Sequence, residues 1–114
     1  YVHAKVSMVD DRLLRVGSAN MNNRSLGLDS ECDLAIDCAL PANAGCGPAI
    51  TALRERLMAE HLGCTPADVA RVHAETGSLI ATINQLTRPG RSLELLDLEK
   101  PGPLDAFIAD NQLL

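Results

Sequence analysis

Tyr1-Val2-His3-Ala4-Lys5-Val6-Ser7-Met8-Val9-Asp10-Asp11-Arg12-Leu13-Leu14-Arg15-Val16-Gly17-Ser18-Ala19-Asn20 is the stretch on which the reading of the fold turns. Residues 1–9 are rich in β-formers, and Asp10-Asp11-Arg12 is a turn-type break. Leu13-Leu14-Arg15-Val16 then reads as the return strand of a hairpin, ending at Gly17-Ser18, where the backbone can bend sharply. Side chains two apart on a strand share a face, so His3 and Lys5 are expected to point the same way, about 7 Å apart. The bend delivers Ser18 and Asn20 to the end of the same sheet.

Working outward, residues 21–28 start a helix or a tight loop, with Asn23-Arg24-Ser25 near its beginning. Residues 29–39 alternate, placing Asp29, Glu31, Asp33 and Ala35 on one face and Cys32, Leu34, Ile36 and Cys38 on the other. This predicts a strand with one apolar face. Three buried acids would be costly, so the acidic face is either solvated or lines a polar cleft. After a loop of small residues, Pro48 suits the first position of a helix that runs to about Leu62 and stops at Gly63, with Ile50, Leu53 and Leu57 as its buried stripe. Thr65-Pro66-Ala67-Asp68 resembles a capping box for a second helix carrying Val69 and Val72, and Leu79, Ile80, Ile83 and Leu86 outline a third. Arg88-Pro89-Gly90-Arg91 breaks the pattern; residues 92–98 read as a short strand or an extended piece, and residues 104–109 as a last helical turn. The fold class is therefore α/β, an N-terminal hairpin and strand packed by C-terminal helices.

The polar residues at the hairpin's start and end form a chemical set. A phosphodiester is anionic and spreads further charge onto its equatorial oxygens during transfer, which calls for fixed donors such as the Lys5 ammonium and the Asn20 amide. A histidine titrates near neutrality, so His3 can serve as nucleophile or as proton donor to a leaving alkoxide, but not as both in one step. A mechanism without metal therefore needs a second histidine.

His3-x-Lys5-x4-Asp10, then Gly17-Ser18-x-Asn20, Asn23-Arg24-Ser25 and Glu31 ahead of an apolar strand, resembles one copy of the duplicated signature of the phospholipase D superfamily. The resemblance implies a partial phospholipase D-like α/β/α sandwich. It implies that His3 is catalytic, that Lys5 and Asn20 bind phosphate with Ser18 beside them, and that Asp10 is a supporting residue. Glu31 would accept a hydrogen bond from an active-site imidazole and fix its tautomer. Arg54-x-x-Leu57-x-x-Glu60-His61-x-Gly63 is similar to a helix that often follows the second motif in plant and bacterial members. That places residues 1–114 as one half-domain, the C-terminal half of a two-motif enzyme lacking the elements that precede the motif, with His3 as the general acid. No cofactor is implied. The missing N-terminal half, or a second copy of the chain, would complete the site.

Composition bounds the partners. The 114 residues, 46% of them hydrophobic, suffice for one domain with a core. A formal net charge of −5 disfavours nucleic acid, since binding a polyanion depends on clustered Lys and Arg. Lys5 and Lys100 are the only lysines, so a Lys two residues after a His is less easily an ordinary solubilising charge. No apolar run approaches the roughly 20 residues that span a bilayer, and a parent protein is expected in the cytoplasm or peripheral to a membrane. Cys32, Cys38, Cys46 and Cys64 show no Cys-x-x-Cys pair, which argues against zinc and for buried reduced thiols, with a disulfide as the alternative.

Taken alone, His3 would read as an ordinary strand histidine. Its register with Lys5, Asp10, Gly17, Ser18, Asn20 and Glu31 decides for chemistry. His61 and His73 lack such company and read as helix-surface or packing residues, Arg12 and Arg15 as turn and edge charges, and Asp29 and Asp33 as solvated or supporting. Arg24 is open between a structural ion pair and a phosphate contact. The function expected is cleavage of a phospholipid phosphodiester through a phosphohistidine; the alternatives are a nuclease-type phosphodiesterase and a non-catalytic folding or assembly module.

Overall fold

The computed structural model describes residues 3–94. Its first half is an antiparallel meander of three strands, β1 (Lys5–Val9), β2 (Leu13–Gly17) and β3 (Asp33–Asp37), in the order β1-β2-β3. The hairpin between β1 and β2 turns through Asp10, whose φ of 52° lies in the left-handed region that aspartate tolerates better than most residues. Arg12 N–H closes the turn on Val9 O at 3.2 Å. His3 stands just ahead of β1 rather than inside it.

β3 is shorter than the predicted 29–39, for a local reason. A short helix, α1 (Asn23–Gly27), precedes it, capped by the Asn22 side chain, which accepts from Ser25 N–H. The Arg24 carbonyl ends this helix by accepting from both Leu28 N–H at 2.8 Å and Asp29 N–H at 2.7 Å, and those amides do not join the ladder.

Register fixes the two faces of the sheet. Val6, Val16 and Leu34 form one row, and Met8, Leu14 and Ile36 the next, on a shared apolar face. The predicted apolar side of β3 is thus present, yet Leu34 is 69% exposed and Val6 and Val16 just over 40%. The core sits elsewhere, among the helices α2 (Gly47–Leu62), α3 (Pro66–Thr76) and α4 (Leu79–Leu86). Met58, Ala59, Leu62 and Val69 form its centre, with Leu79, Ile83, Leu86 and Leu93 packed against them. At roughly 1.5–3 kcal/mol per fully buried large apolar side chain, this cluster is the main hydrophobic contribution among the described residues. The α2 stripe is shifted from the one predicted: Ile50 is buried, but Leu53 and Leu57 are only half-buried, because α2 meets α3 through Met58, Ala59 and Leu62.

The helix ends follow the predicted chemistry. Pro48 lies in the first turn of α2, and Gly63 caps it at φ 64°, a left-handed conformation that a β-carbon would strain. Thr65 and Asp68 make the reciprocal capping box of α3, and their hydrogen bonds hold the Asp68 carboxyl below its ordinary pKa. No helix among the described residues is long and apolar enough to cross a membrane. The predicted helical turn at 104–109 lies outside the described residues, as does most of the extended piece at 92–98; its start, Ser92 to Glu94, forms no strand.

The cysteine expectation is corrected. Cys38 and Cys46 form a disulfide, Cα–Cα 5.6 Å, and Cys32 is exposed. A 3-10 turn, Pro41–Asn43, reverses the chain, and Asn43 Nδ2 donates to Asp37 O at 3.0 Å, so two cysteines eight residues apart meet at the join of β3 and α2. Spacing alone does not reveal that reversal. Alkylation of the denatured chain without reductant is expected to modify two thiols, Cys32 and Cys64, and four after reduction. Four reactive thiols in the unreduced chain would contradict the bond.

Candidate functional site

The register pairs Lys5 with Gly17 and Gly17 with Asp33, so these three residues form one row across the polar face of the sheet. His3 and Lys5 meet there: Lys5 Nζ lies 2.9 Å from Nδ1 of His3 and 3.1 Å from Nε2. An ammonium has only protons to give, so the ring nitrogen that accepts from it is unprotonated.

Gly17 is demanded by its neighbour. A β-carbon there would stand 1.7 Å from Asp33 Oδ1 and 2.7 Å from Asp33 Cα, and the second contact is with backbone that cannot swing aside. The space admits the Asp33 carboxylate instead. Its Oδ2 accepts from Arg15 Nη2 at 3.0 Å, and its Oδ1 accepts from Ala19 N–H at 3.4 Å. Arg15 Nη2 also donates to Ala19 O at 3.4 Å. Both side chains of the ion pair are about three-quarters buried, which corrects the reading of Arg15 as a plain edge charge.

Beyond the row the chain bends through Ser18, buried Ala19 and exposed Asn20. Ser18 N–H donates to Cys32 O at 3.1 Å, and Cys32 N–H donates to Ser18 Oγ at 3.0 Å. Ser18 Oγ in turn donates to Glu31 Oε2 at 2.5 Å. A hydroxyl has one proton, and that of Ser18 is committed to Glu31. Hydrogen bonds from Ser18 and then Ser25 hold the Glu31 carboxyl below its ordinary pKa of 4.5. Ser25, on the first turn of α1, is buried beneath this loop. Its part in holding Glu31 was not legible from its place in Asn23-Arg24-Ser25.

The remaining candidates lie elsewhere. Asp10 sits at the far end of the hairpin, five residues and about 16 Å along the strand from Lys5; its carbonyl accepts from Arg54 Nη1 at 2.9 Å, tying the turn to α2. Arg24 pairs with Asp29 at 3.0 Å and Arg12 with Asp37 at 3.3 Å, both at the surface, so the open question over Arg24 resolves to an ion pair. Among the described residues, no group of three or more His, Cys, Asp or Glu could hold a metal ion.

The family model for phospholipase D matches residues 1–90, which contain all of these side chains. The chain belongs to the phospholipase D family. It is similar to phospholipase D alpha 1 of Nicotiana tabacum, 33% identical over 111 residues that cover 91% of this chain and 14% of that protein. It is also similar to phospholipase D1 of Schizosaccharomyces pombe, 43% identical over 72 residues (55% of this chain, 5% of that protein), and to phospholipase D1 of Saccharomyces cerevisiae, 48% over 73 (56% and 4%). The chain thus spans a small part of the length of these relatives. No solved structure matches it significantly. The three-stranded sheet with four helices is a mixed α/β arrangement, consistent with a partial phospholipase D-like fold.

Two outcomes follow for this phospholipase D family site. Gly17→Ala is expected to destabilise the chain by about 1–3 kcal/mol, the usual penalty for forcing a methyl into filled space, measured as a lower urea midpoint; an unchanged midpoint would remove the close approach of Asp33. Because the Glu31 pKa is lowered in the folded chain, its stabilising effect is fully present above 4.5 and is lost as pH falls through the lower folded value. The stability gap between the wild type and Glu31→Gln should therefore narrow on acidification across that window. A gap that widens there would reverse the sign.

Proposed function

We propose that this chain supplies one half-site of a phospholipase D-type phosphodiesterase or phosphatidyl transferase that acts on phospholipid. The observation that carries the reading is the Lys5 ammonium 2.9 Å from the His3 ring, at the sheet end from which residues 18–20 emerge, in a chain of this family. The names of the relatives support the substrate class. The net charge of −5 favours lipid over a polyanion.

In this reading Lys5 and the Asn20 amide hold the phosphate oxygens, where charge grows during transfer. Ser18 turns its proton to Glu31 and keeps that carboxylate in place, and Glu31, ionised at neutral pH, orients an active-site imidazole. His3, acting as the general acid, protonates the leaving alkoxide. The nucleophile is a second histidine, which attacks phosphorus as the P–O bond to the head group breaks, giving a phosphohistidine and a free alcohol. His3, now neutral, takes a proton from water or from an acceptor alcohol, whose oxygen attacks phosphorus and releases the second histidine. Hydrolysis and transfer differ only in that last oxygen.

One motif provides one imidazole. The second would come from the rest of a longer chain, and the bare apolar sheet face of Val6, Val16 and Leu34 suits packing against it. The assembled protein would work in the cytoplasm or peripherally, at a membrane surface that presents its substrate.

In the full-length protein, His3→Asn is expected to lower steady-state turnover of a chromogenic phosphodiester by roughly 10²–10⁴-fold, the usual weight of general acid–base catalysis, lost here from the proton that His3 takes from the attacking water. Lys5→Met should weaken phosphate binding and turnover without unfolding, and residues 1–114 alone should turn over little. Unchanged rates in His3→Asn would overturn the proposal.

A further inference from the structure

We propose that Asp33 is a positioning residue of this site: through Arg15 and the Ala19 peptide it sets the bend at residues 18–20 that presents Asn20 to phosphate. The proposal rests on the half-site reading above and extends it to residues that the motif does not contain.

The backbone of Ala19 is held at both of its polar groups. Its N–H donates to Asp33 Oδ1 at 3.4 Å, and its carbonyl accepts from Arg15 Nη2 at 3.4 Å. The two gripping groups are fixed to each other by the 3.0 Å ion pair, three-quarters buried on both sides. Arg15 and Asp33 stand on adjacent strands, and Gly17, opposite Asp33 in the ladder, lacks the side chain that would keep the carboxylate from reaching over. Ala19 itself is 4% exposed, so the methyl side of the bend is packed while Asn20 is left at the surface. The arrangement fixes the peptide just before Asn20 from the polar face of the sheet that also bears Lys5.

The electrostatics suit the role. A carboxylate close to a phosphate site would repel substrate if it faced it unpaired. Asp33 is instead bidentate toward inward donors, Arg15 and the Ala19 amide, so its charge is matched where it sits. Asp33 touches neither substrate nor reacting atoms in this arrangement. Its effect passes through the loop, where a displacement of about 1 Å in a holding group can cost on the order of 10²-fold in rate.

The test uses the full-length protein, a chromogenic phosphodiester for turnover and vanadate as an inhibitor that reports how well the site holds a phosphate-like anion. Asp33→Ala is expected to lower kcat/KM by on the order of 10²-fold and to weaken vanadate inhibition. Asp33→Asn, which keeps an acceptor for Ala19 N–H but loses the ion pair, should fall between, and it serves if Asp33→Ala does not fold. Combining either variant with Asn20→Ala decides the mechanism: if Asp33 acts through Asn20, the double variant is scarcely worse than Asn20→Ala alone. Multiplicative losses would overturn the proposal, as would wild-type vanadate inhibition in both Asp33 variants. His3→Ala separates the two levels of the account. Turnover that survives His3→Ala sinks the half-site reading itself, whereas turnover abolished by His3→Ala beside wild-type behaviour of Asp33→Asn and Asp33→Ala sinks this inference alone.

Discussion

The close approach of Asp33 to Gly17 is the constraint on which the site depends. It requires a residue without a β-carbon at the last position of β2, and it requires β2 and β3 to pair in the one register that puts the two residues opposite each other. A slip of one residue would turn Lys5, Arg15 and Asp33 to the other side of the sheet relative to their partners. With that register in place, Lys5 stands in the same row, the Arg15 guanidinium is within reach of the carboxylate, and the chain leaves the sheet at Ser18 already anchored to Cys32 through backbone and side chain.

The proposed half-site asks an acidic chain to hold an anion, and the same geometry suits that demand. Glu31 and Asp33 both lie near the end of the sheet where Lys5 sits, yet each is turned toward donors of the fold: Glu31 to the hydroxyls of Ser18 and Ser25, Asp33 to Arg15 and a backbone amide. Lys5 is hydrogen-bonded to the His3 ring. Among the described residues no ion pair with a carboxylate takes up its charge, which suits the phosphate-holding role proposed for it. Fold and chemistry use the same residues, so the hydrogen bonds that shape the bend also sort the charges.

Much of this was legible in the chain, and the misses have identifiable causes. The hairpin and the three C-terminal helices follow from local rules: β-formers around an Asp-Asp turn, Pro48 and Gly63 at the ends of α2, the Thr65 capping box, and a 3.6-residue apolar period in α4. The motif spacing named His3, Lys5, Ser18, Asn20 and Glu31 as candidates, and the structure puts Lys5 beside His3 and Ser18 on Glu31. What escaped depends on register and chain reversal. Arg15 and Asp33 are unremarkable as isolated charges and become a pair only when β2 and β3 are aligned; Cys38 and Cys46 meet only because the turn at Pro41–Asn43 doubles the chain back. Asp10 shows the converse. Its fixed offset from His3 and Lys5 suggested a shared site, but a strand carries those five residues away in a line, and its carbonyl serves the packing of the turn on α2.

The central claim is that His3 moves a proton while another histidine carries the phosphorus. The most direct measurement is rapid acid quenching of the full-length protein with a p-nitrophenyl phosphodiester, whose leaving group needs no proton, followed by mass-spectrometric location of the adduct. The account predicts that His3→Asn still releases a burst of nitrophenol and accumulates a phosphohistidine on a histidine outside residues 1–114, which it then fails to hydrolyse. A phosphorus adduct on His3 in the wild-type protein, or no burst and no adduct in His3→Asn, would contradict it.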